Sequence, residues 1–213
     1  MAFEGPFTVP PAAAIASFDY DTISDGTATK KFYLAHLSGL GNILTQNVIY
    51  TFDSSTPTAV TLTGTVTSGA PDEYNFDLPA FQFPKTVTGT VIVTLGMFLS
   101  EPATDTITVT FRLLKYDGSA ETALCTAQTI GTKTGIGGDE GVYSYGVAVT
   151  ETHFARGEVL RLEVVFTQSA SGTGTYELGV DPQDRDGTNL TPSTDATITN
   201  SHIYVQFRPD ELA

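Results

Sequence analysis

Apolar and polar residues alternate with a period of two over long stretches of the chain, the spacing of a strand with one buried face. In Thr106 to Tyr116, Ile107, Val109, Phe111 and Leu113 fall on one side, and Thr106, Thr108, Thr110 and Arg112 on the other. Val159 to Thr167 repeats the pattern, with Leu160, Leu162, Val164 and Phe166 inward and Arg161, Glu163 and Val165 outward. Thr58 to Val66 places Val60, Leu62, Gly64 and Val66 opposite Thr61, Thr63 and Thr65. Thr86 to Leu99 predicts a long strand, with Val87, Val91 and Val93 opposed to Ile92, and Gly89 and Gly96 as points for a bulge or bend. Shorter candidates are Lys31 to Ala35, Asn47 to Phe52, Glu121 to Ile130, Tyr143 to Thr150, Gly174 to Val180 and Ile198 to Phe207.

The segments between these runs carry turn residues. Gly39 and Gly41, Gly69-Ala-Pro-Asp-Glu and Tyr116-Asp-Gly-Ser predict turns, the last because Asp-Gly tolerates the positive φ of tight hairpins. Gly131 to Gly141 reads as a glycine-rich loop, and the Phe76 to Pro84 stretch, with Pro79 and Pro84, as an edge or crossover segment. About ten strands and no amphipathic helix predict an all-β fold: an antiparallel β-sandwich of jelly-roll type over residues 30–213. Residues 1–29, with Pro6, Pro10 and Pro11, read as an extended N-terminal arm. Phe3, Phe7 and Phe18 of that arm are costly to leave in water, so they are candidate partner-binding residues.

Composition narrows the classes. About 35 threonines add a β lean, because Thr is branched at Cβ. One cysteine excludes an internal disulfide framework, and one cysteine with three histidines excludes a zinc finger. A formal charge of −14 disfavours nucleic acid as a partner. No apolar run reaches the roughly 18 residues of a membrane helix, and the first residues lack the basic and apolar regions of a signal peptide, so neither a membrane nor an export route is expected.

Candidate chemistry is sparse. Cys125 lies between small apolar residues with no local base, and His36, His153 and His202 are more than 40 residues apart. Neither a Gly-x-Ser-x-Gly elbow nor a Gly-Lys-Ser/Thr loop occurs. Asp181, Asp184 and Asp186, followed by Gly187, form a carboxylate cluster that suits a hard cation such as Ca²⁺, although the spacing is not that of an EF-hand. Glu158 with Glu163, or Glu151 with Glu177, could serve as a glycosidase pair only if the fold brought them face to face across a cleft. The chain is therefore expected not to be an enzyme and to need no organic cofactor.

The run Lys31-Phe-Tyr-Leu-Ala-His-Leu and the later Phe154-Ala-Arg-Gly-Glu-Val-Leu-Arg-Leu-Glu-Val-Val-Phe resemble virion structural proteins of tailed phages and related prokaryotic viruses. The resemblance spans about residues 30–208 and implies a capsid decoration (cement) protein, made in the host cytoplasm and located in the virion. Its implied partners are the major capsid protein or other virion proteins, bound through the arm and a sandwich edge. It also implies a homo-oligomer, with a trimer matching the three-fold axes of a shell. The alternative is a carbohydrate- or receptor-binding sandwich of a tail fibre or spike, with Tyr74, Tyr143 and Tyr145 as stacking candidates.

Overall fold

The computed structural model describes residues 29–37, 41–46, 61–101, 105–169, 172–182 and 200–209. Residues 1–28 of the arm, with Phe3, Phe7 and Phe18, lie outside the described residues, as do the Asn47 to Phe52 candidate and Asp184 and Asp186.

Thirteen strands occur among the described residues: β1 (Thr29–Leu37), β2 (Gly41–Thr45), β3 (Thr61–Thr67), β4 (Asp72–Asp77), β5 (Lys85–Glu101), β6 (Thr106–Tyr116), β7 (Glu121–Ala123), β8 (Gln128–Thr134), β9 (Gly137–Ala148), β10 (Thr152–Phe154), β11 (Val159–Gln168), β12 (Thr173–Gly179) and β13 (His202–Pro209). They follow one hydrogen-bonded path, β3-β12-β5-β13-β1-β2-β4-β11-β6-β7, with β9 and β10 on β5 and β8 on β6. Every strand pairing is antiparallel except a single parallel contact between β2 and β4, at Ile43 and Asp77.

The path folds over into two layers. One is centred on β5 and holds β1, β2, β3, β9, β10, β12 and β13; the other holds β4, β6, β7, β8 and β11. Successive strands cross between them: β3 to β4, β4 to β5, β5 to β6, β8 to β9, β10 to β11 and β11 to β12. The core lies between the layers. Val91, Val93, Leu95, Met97 and Leu99 of β5 face Ile107, Val109, Phe111 and Leu113 of β6 and Leu160, Leu162, Val164 and Phe166 of β11, all essentially inaccessible to solvent. This is the all-β, jelly-roll-like sandwich that the alternation predicts.

The structure differs from the sequence reading at five places. Gly131 to Gly141 is mostly strand, β8 and β9, joined by a short turn in which Gly135 and Gly137 have φ of 82° and 107°. Glycine is poor in strands, but here it makes room for rings: a methyl group on Gly138 would stand 2.6 Å from the Phe98 ring. The Glu121 to Ile130 segment is two strands, β7 and β8, interrupted around Cys125. The predicted turn near Gly41 opens directly into β2, and the segment before Pro79 is the strand β4, with Phe76 buried.

The fifth difference is Glu163. It points away from the core as predicted, yet it is buried, because Arg112 lies over it with Nε–Oε1 and Nη2–Oε2 separations of 2.5 and 2.7 Å. The two residues stand directly opposite one another in the β11–β6 register. Arg161 repeats the device one pleat along. It grips Asp77, its partner in the β11–β4 register, with two bonds of 2.7 Å and reaches Glu121 at 2.6 Å. Its guanidinium also lies 4.2 Å from the Tyr116 ring centre.

A second lock joins the layers. Tyr176 of β12 is buried and stacks on Phe166 of β11, with ring centres 3.8 Å apart. Its hydroxyl donates to Asp72 at 2.7 Å and lies 2.7 Å from the Tyr74 hydroxyl. The ring passes over Gly64, where a methyl group would fall 2.1 Å from the Tyr176 oxygen. Burial, and then the bonds to Tyr74 and Asp72, hold the Tyr176 phenol well above its ordinary pKa, so it stays protonated and keeps donating.

Candidate binding surface

Because side chains alternate along a strand, the solvent side of the β5 layer is set by the same register that fills the core. On β1 the outward positions include Lys31 and Tyr33, and on β13 they include His202 and Tyr204. Pairing puts Tyr33 opposite His202, and Tyr204 between Lys31 and Ile92 of β5. The result is a contiguous patch of aromatic rings around one cation. Lys31 Nζ lies 4.4 Å from the Tyr33 ring centre and 5.7 Å from that of Tyr204. His202 meets Tyr204 edge-on at 5.3 Å and Tyr33 at 6.2 Å. Ile92 continues the patch and is 43% exposed.

Burial, together with the Lys31 charge nearby, lowers the His202 pKa against the opposing pull of a backbone bond. The ring is therefore neutral at pH 7, and its Nδ1–H donates to the Asn200 carbonyl at 3.1 Å. Further along the same face, Thr94 and Ser144 exchange a hydroxyl bond of 2.8 Å. Beyond them an open cleft of about 320 Å³ runs over β3, β12 and β5, lined by Thr63, Thr65, Thr175, Glu177 and Phe98. Half-exposed Tyr rings, one lysine and a row of hydroxyls can stack, donate and accept, which is recognition chemistry.

The residues singled out from the sequence are scattered. His36 Nδ1 lies 2.7 Å from Asn42 Oδ1, His202 belongs to the patch, and His153 is on β10. Cys125 Sγ accepts from the Leu113 amide at 3.4 Å, and burial raises its thiol pKa, so its thiolate is disfavoured. Asp181, just past β12, is fully buried. No group of three or more His, Cys, Asp or Glu side chains gathers as metal ligands among the described residues. The candidate acid pairs are occupied separately. Glu163 is held by Arg112, Glu158 accepts from the Ala155 amide at 2.7 Å and meets Lys115 at 3.1 Å, and Glu151 pairs with Arg208 at 2.6 Å. Tyr74 belongs to the layer lock, and Tyr145 donates to Gln128 at 3.1 Å.

Sequence reasoning missed Tyr33 and Tyr204. Both sit one residue out of phase with buried neighbours, Phe32 and Leu34 for the first, Ile203 and Val205 for the second. Reading the segments as apolar runs, without assigning faces, concealed them.

Fold and surface together define an all-β sandwich domain. No family model and no curated protein matches the sequence. Among solved structures, an alpha-amino acid ester hydrolase superposes with a TM-score of 0.55 at 12% identity, over 84% of this chain and 36% of that one. A CocE/NonD family hydrolase from Staphylococcus aureus gives 0.47 at 12% identity, over 84% and 37%. Infectious bursal disease virus, Gx strain, gives 0.23 at 11% identity. The chain thus spans little more than a third of the length of the hydrolases it matches. The expectation that the chain is not an enzyme is corrected by the first of these likenesses: this fold forms part of an ester hydrolase chain, and the missing sequence motifs do not set it apart from enzymes.

Proposed function

We propose that the protein is a virion structural protein of the capsid-decoration type, a β-sandwich that attaches to a neighbouring virion protein. The observation that supports this reading is the Lys31–Tyr33–His202–Tyr204–Ile92 patch. It is an aromatic and cationic surface on a chain whose net charge is −14. Tyrosine-rich patches of this kind anchor protein interfaces, while the surrounding negative charge keeps free copies apart before assembly. Attachment to the major capsid protein, in a homo-oligomer such as a trimer, belongs to the same proposal.

Labelling purified particles with antibodies against the chain tests it. Label on the shell is expected, and its loss in the Tyr33→Ala/Tyr204→Ala double variant, with the variant still folded by circular dichroism, would locate the contact. Particles devoid of the chain would overturn the reading.

A second reading rests on the 0.55 superposition. In it the sandwich is one part of a hydrolase assembly, as the same fold is part of an alpha-amino acid ester hydrolase chain. Ester hydrolysis by purified material containing the full chain, absent from material lacking it, would favour this reading over the first.

A further inference from the structure

At one end of the sandwich the apolar core stops against polar side chains. Glu101, the last residue of β5, is in phase with Leu95, Met97 and Leu99 and so points between the layers, where it is 1% exposed. Gln168, the last residue of β11, is in phase with Leu162, Val164 and Phe166 and points the same way. Asp105 immediately precedes β6, and Gly172 and Gly174 lie at the start of β12.

The hydrogen bonds among these groups leave one oxygen without a partner. Gln168 Nε2 donates to Glu101 Oε2 at 3.2 Å, the Gly174 amide donates to Gln168 Oε1 at 2.9 Å, and the Gly172 amide donates to Asp105 Oδ2 at 3.0 Å. Glu101 Oε1 is buried and receives nothing. A methyl group on Gly174 would stand 2.7 Å from both Glu101 Oε1 and Gln168 Oε1 and 2.5 Å from the Ile107 Cδ1 methyl, so the two oxygens border one spot at the polar edge of the core, and of the two only Gln168 Oε1 has a donor, the Gly174 amide. The Asp105 carboxylate is near enough to repel the Glu101 charge. Among the described residues no lysine or arginine pairs with either acid, whereas Asp77, Glu121, Glu151, Glu158 and Glu163 each have one.

A buried carboxylate beside a second carboxylate, with an oxygen that nothing satisfies, is an arrangement that calls for positive charge. We propose that Glu101 Oε1, the Asp105 carboxylate and Gln168 Oε1 form a site for a divalent cation of the calcium class. Two carboxylates balance a divalent ion, and an all-oxygen set with no nitrogen or sulfur ligand selects a hard one. The set is irregular and includes a neutral amide, with water completing the shell. Calcium accepts this more readily than magnesium, which requires a regular octahedron. The site is distinct from the Asp181 region, which lies at the opposite end of β12.

The test uses the full chain stripped with EDTA, then titrated with CaCl₂ or MgCl₂ at constant ionic strength while heat and melting temperature are recorded. A saturable rise of a few degrees is expected with calcium, and a smaller one with magnesium. Glu101→Gln and Asp105→Asn should each abolish the response, and Asp139→Asn, on the exposed part of β9, should keep it. No saturable response in the wild type would overturn the proposal, as would a response that survives in Glu101→Gln or Asp105→Asn. Retention of the response by both variants would assign the ion to another place.

Discussion

Two groups of acids in this molecule are built from the same side chains and end in opposite situations. On the outer face of the β6–β11 layer, Glu163 and Asp77 stand directly across the ladder from Arg112 and Arg161, so strand register alone delivers a bidentate partner to each. At the end of the core, Glu101 stands across from Gly137 on β9, and among the described residues its one side-chain hydrogen-bond donor is the neutral amide of Gln168. The hydrogen bonds to Asp77 and Glu163 raise the guanidinium pKa of Arg161 and Arg112. Burial first, and then the Asp105 charge, raise that of Glu101 against the pull of Gln168. In the first case folding favours the charged form, and in the second it favours the neutral one.

The largest effect should come from breaking the paired side. Arg161→Met strands two carboxylates that are only about a third exposed, and should cost roughly 2–3 kcal/mol in urea unfolding. Adding Asp77→Asn should return part of that loss, because the second substitution removes one of the stranded charges. A double variant as unstable as the single one would show that Arg161 acts through its packing on Tyr116 instead.

Next in size is a gain. Glu101→Gln keeps the shape and the bond to Gln168 but carries no charge, so in EDTA at pH 7 it should stabilise the fold by about 1–2 kcal/mol. Its pH dependence has a definite sign. The folded pKa of Glu101 lies above the ordinary 4.5, so the native state binds the proton more tightly than the unfolded state. The wild type carries no penalty below that ordinary value. It loses stability as pH rises from there through the raised folded pKa, and above that the loss is constant. The gap between Glu101→Gln and wild type should therefore close on acidification, and a gap independent of pH would break the comparison.

The layer lock offers a neutral reference. Tyr176→Phe removes the bonds to Asp72 and Tyr74 without moving a charge, and should cost about 1 kcal/mol at any pH below the tyrosine range. The smallest change is expected at Asp117 in the β6–β7 turn, whose Oδ1 accepts from Ser119 N, Ser119 Oγ and Ala120 N at 2.8, 2.9 and 2.7 Å. Asp117→Asn still presents an oxygen to those donors, so its melting curve should nearly superpose on that of the wild type.

Which parts of this were legible in the sequence follows from the same contrast. The alternation in β6 and β11 marks the core face residue by residue, because period two is a property of the strand itself. That Glu163 is buried was not legible, since its cover comes from Arg112, fifty-one positions away and brought opposite only by register. The adjoining ends of β8 and β9, over Gly131 to Gly141, were hidden because their glycines carry no apolar signal, although they make room for the rings of Phe98 and Tyr143 and the methyl of Met97. Glu101 was hidden by two residues. Ending the strand at Leu99 left it in a loop, while one more step of the alternation would have turned it inward. The aromatic patch was visible in principle, as Tyr33 and Tyr204 alternate with buried residues, but no local rule brings β1 and β13 together.

The place of β13 has a consequence for how the molecule comes into being. Residues 202–209 are the last strand among the described residues, yet they occupy a slot inside the layer, between β5 and β1. Until that segment has been synthesised, β1 and β2 have no route to β5, and one layer cannot close over Leu95 and Val93. The sandwich therefore cannot mature stepwise as it leaves the ribosome. Its folding waits for pairings that span most of the chain, which is slow. A chain lacking residues 202–209 would leave β1 and β2 detached from β5, and the layer would stay split. The inserted strand thus makes closure of the layer an all-or-none event.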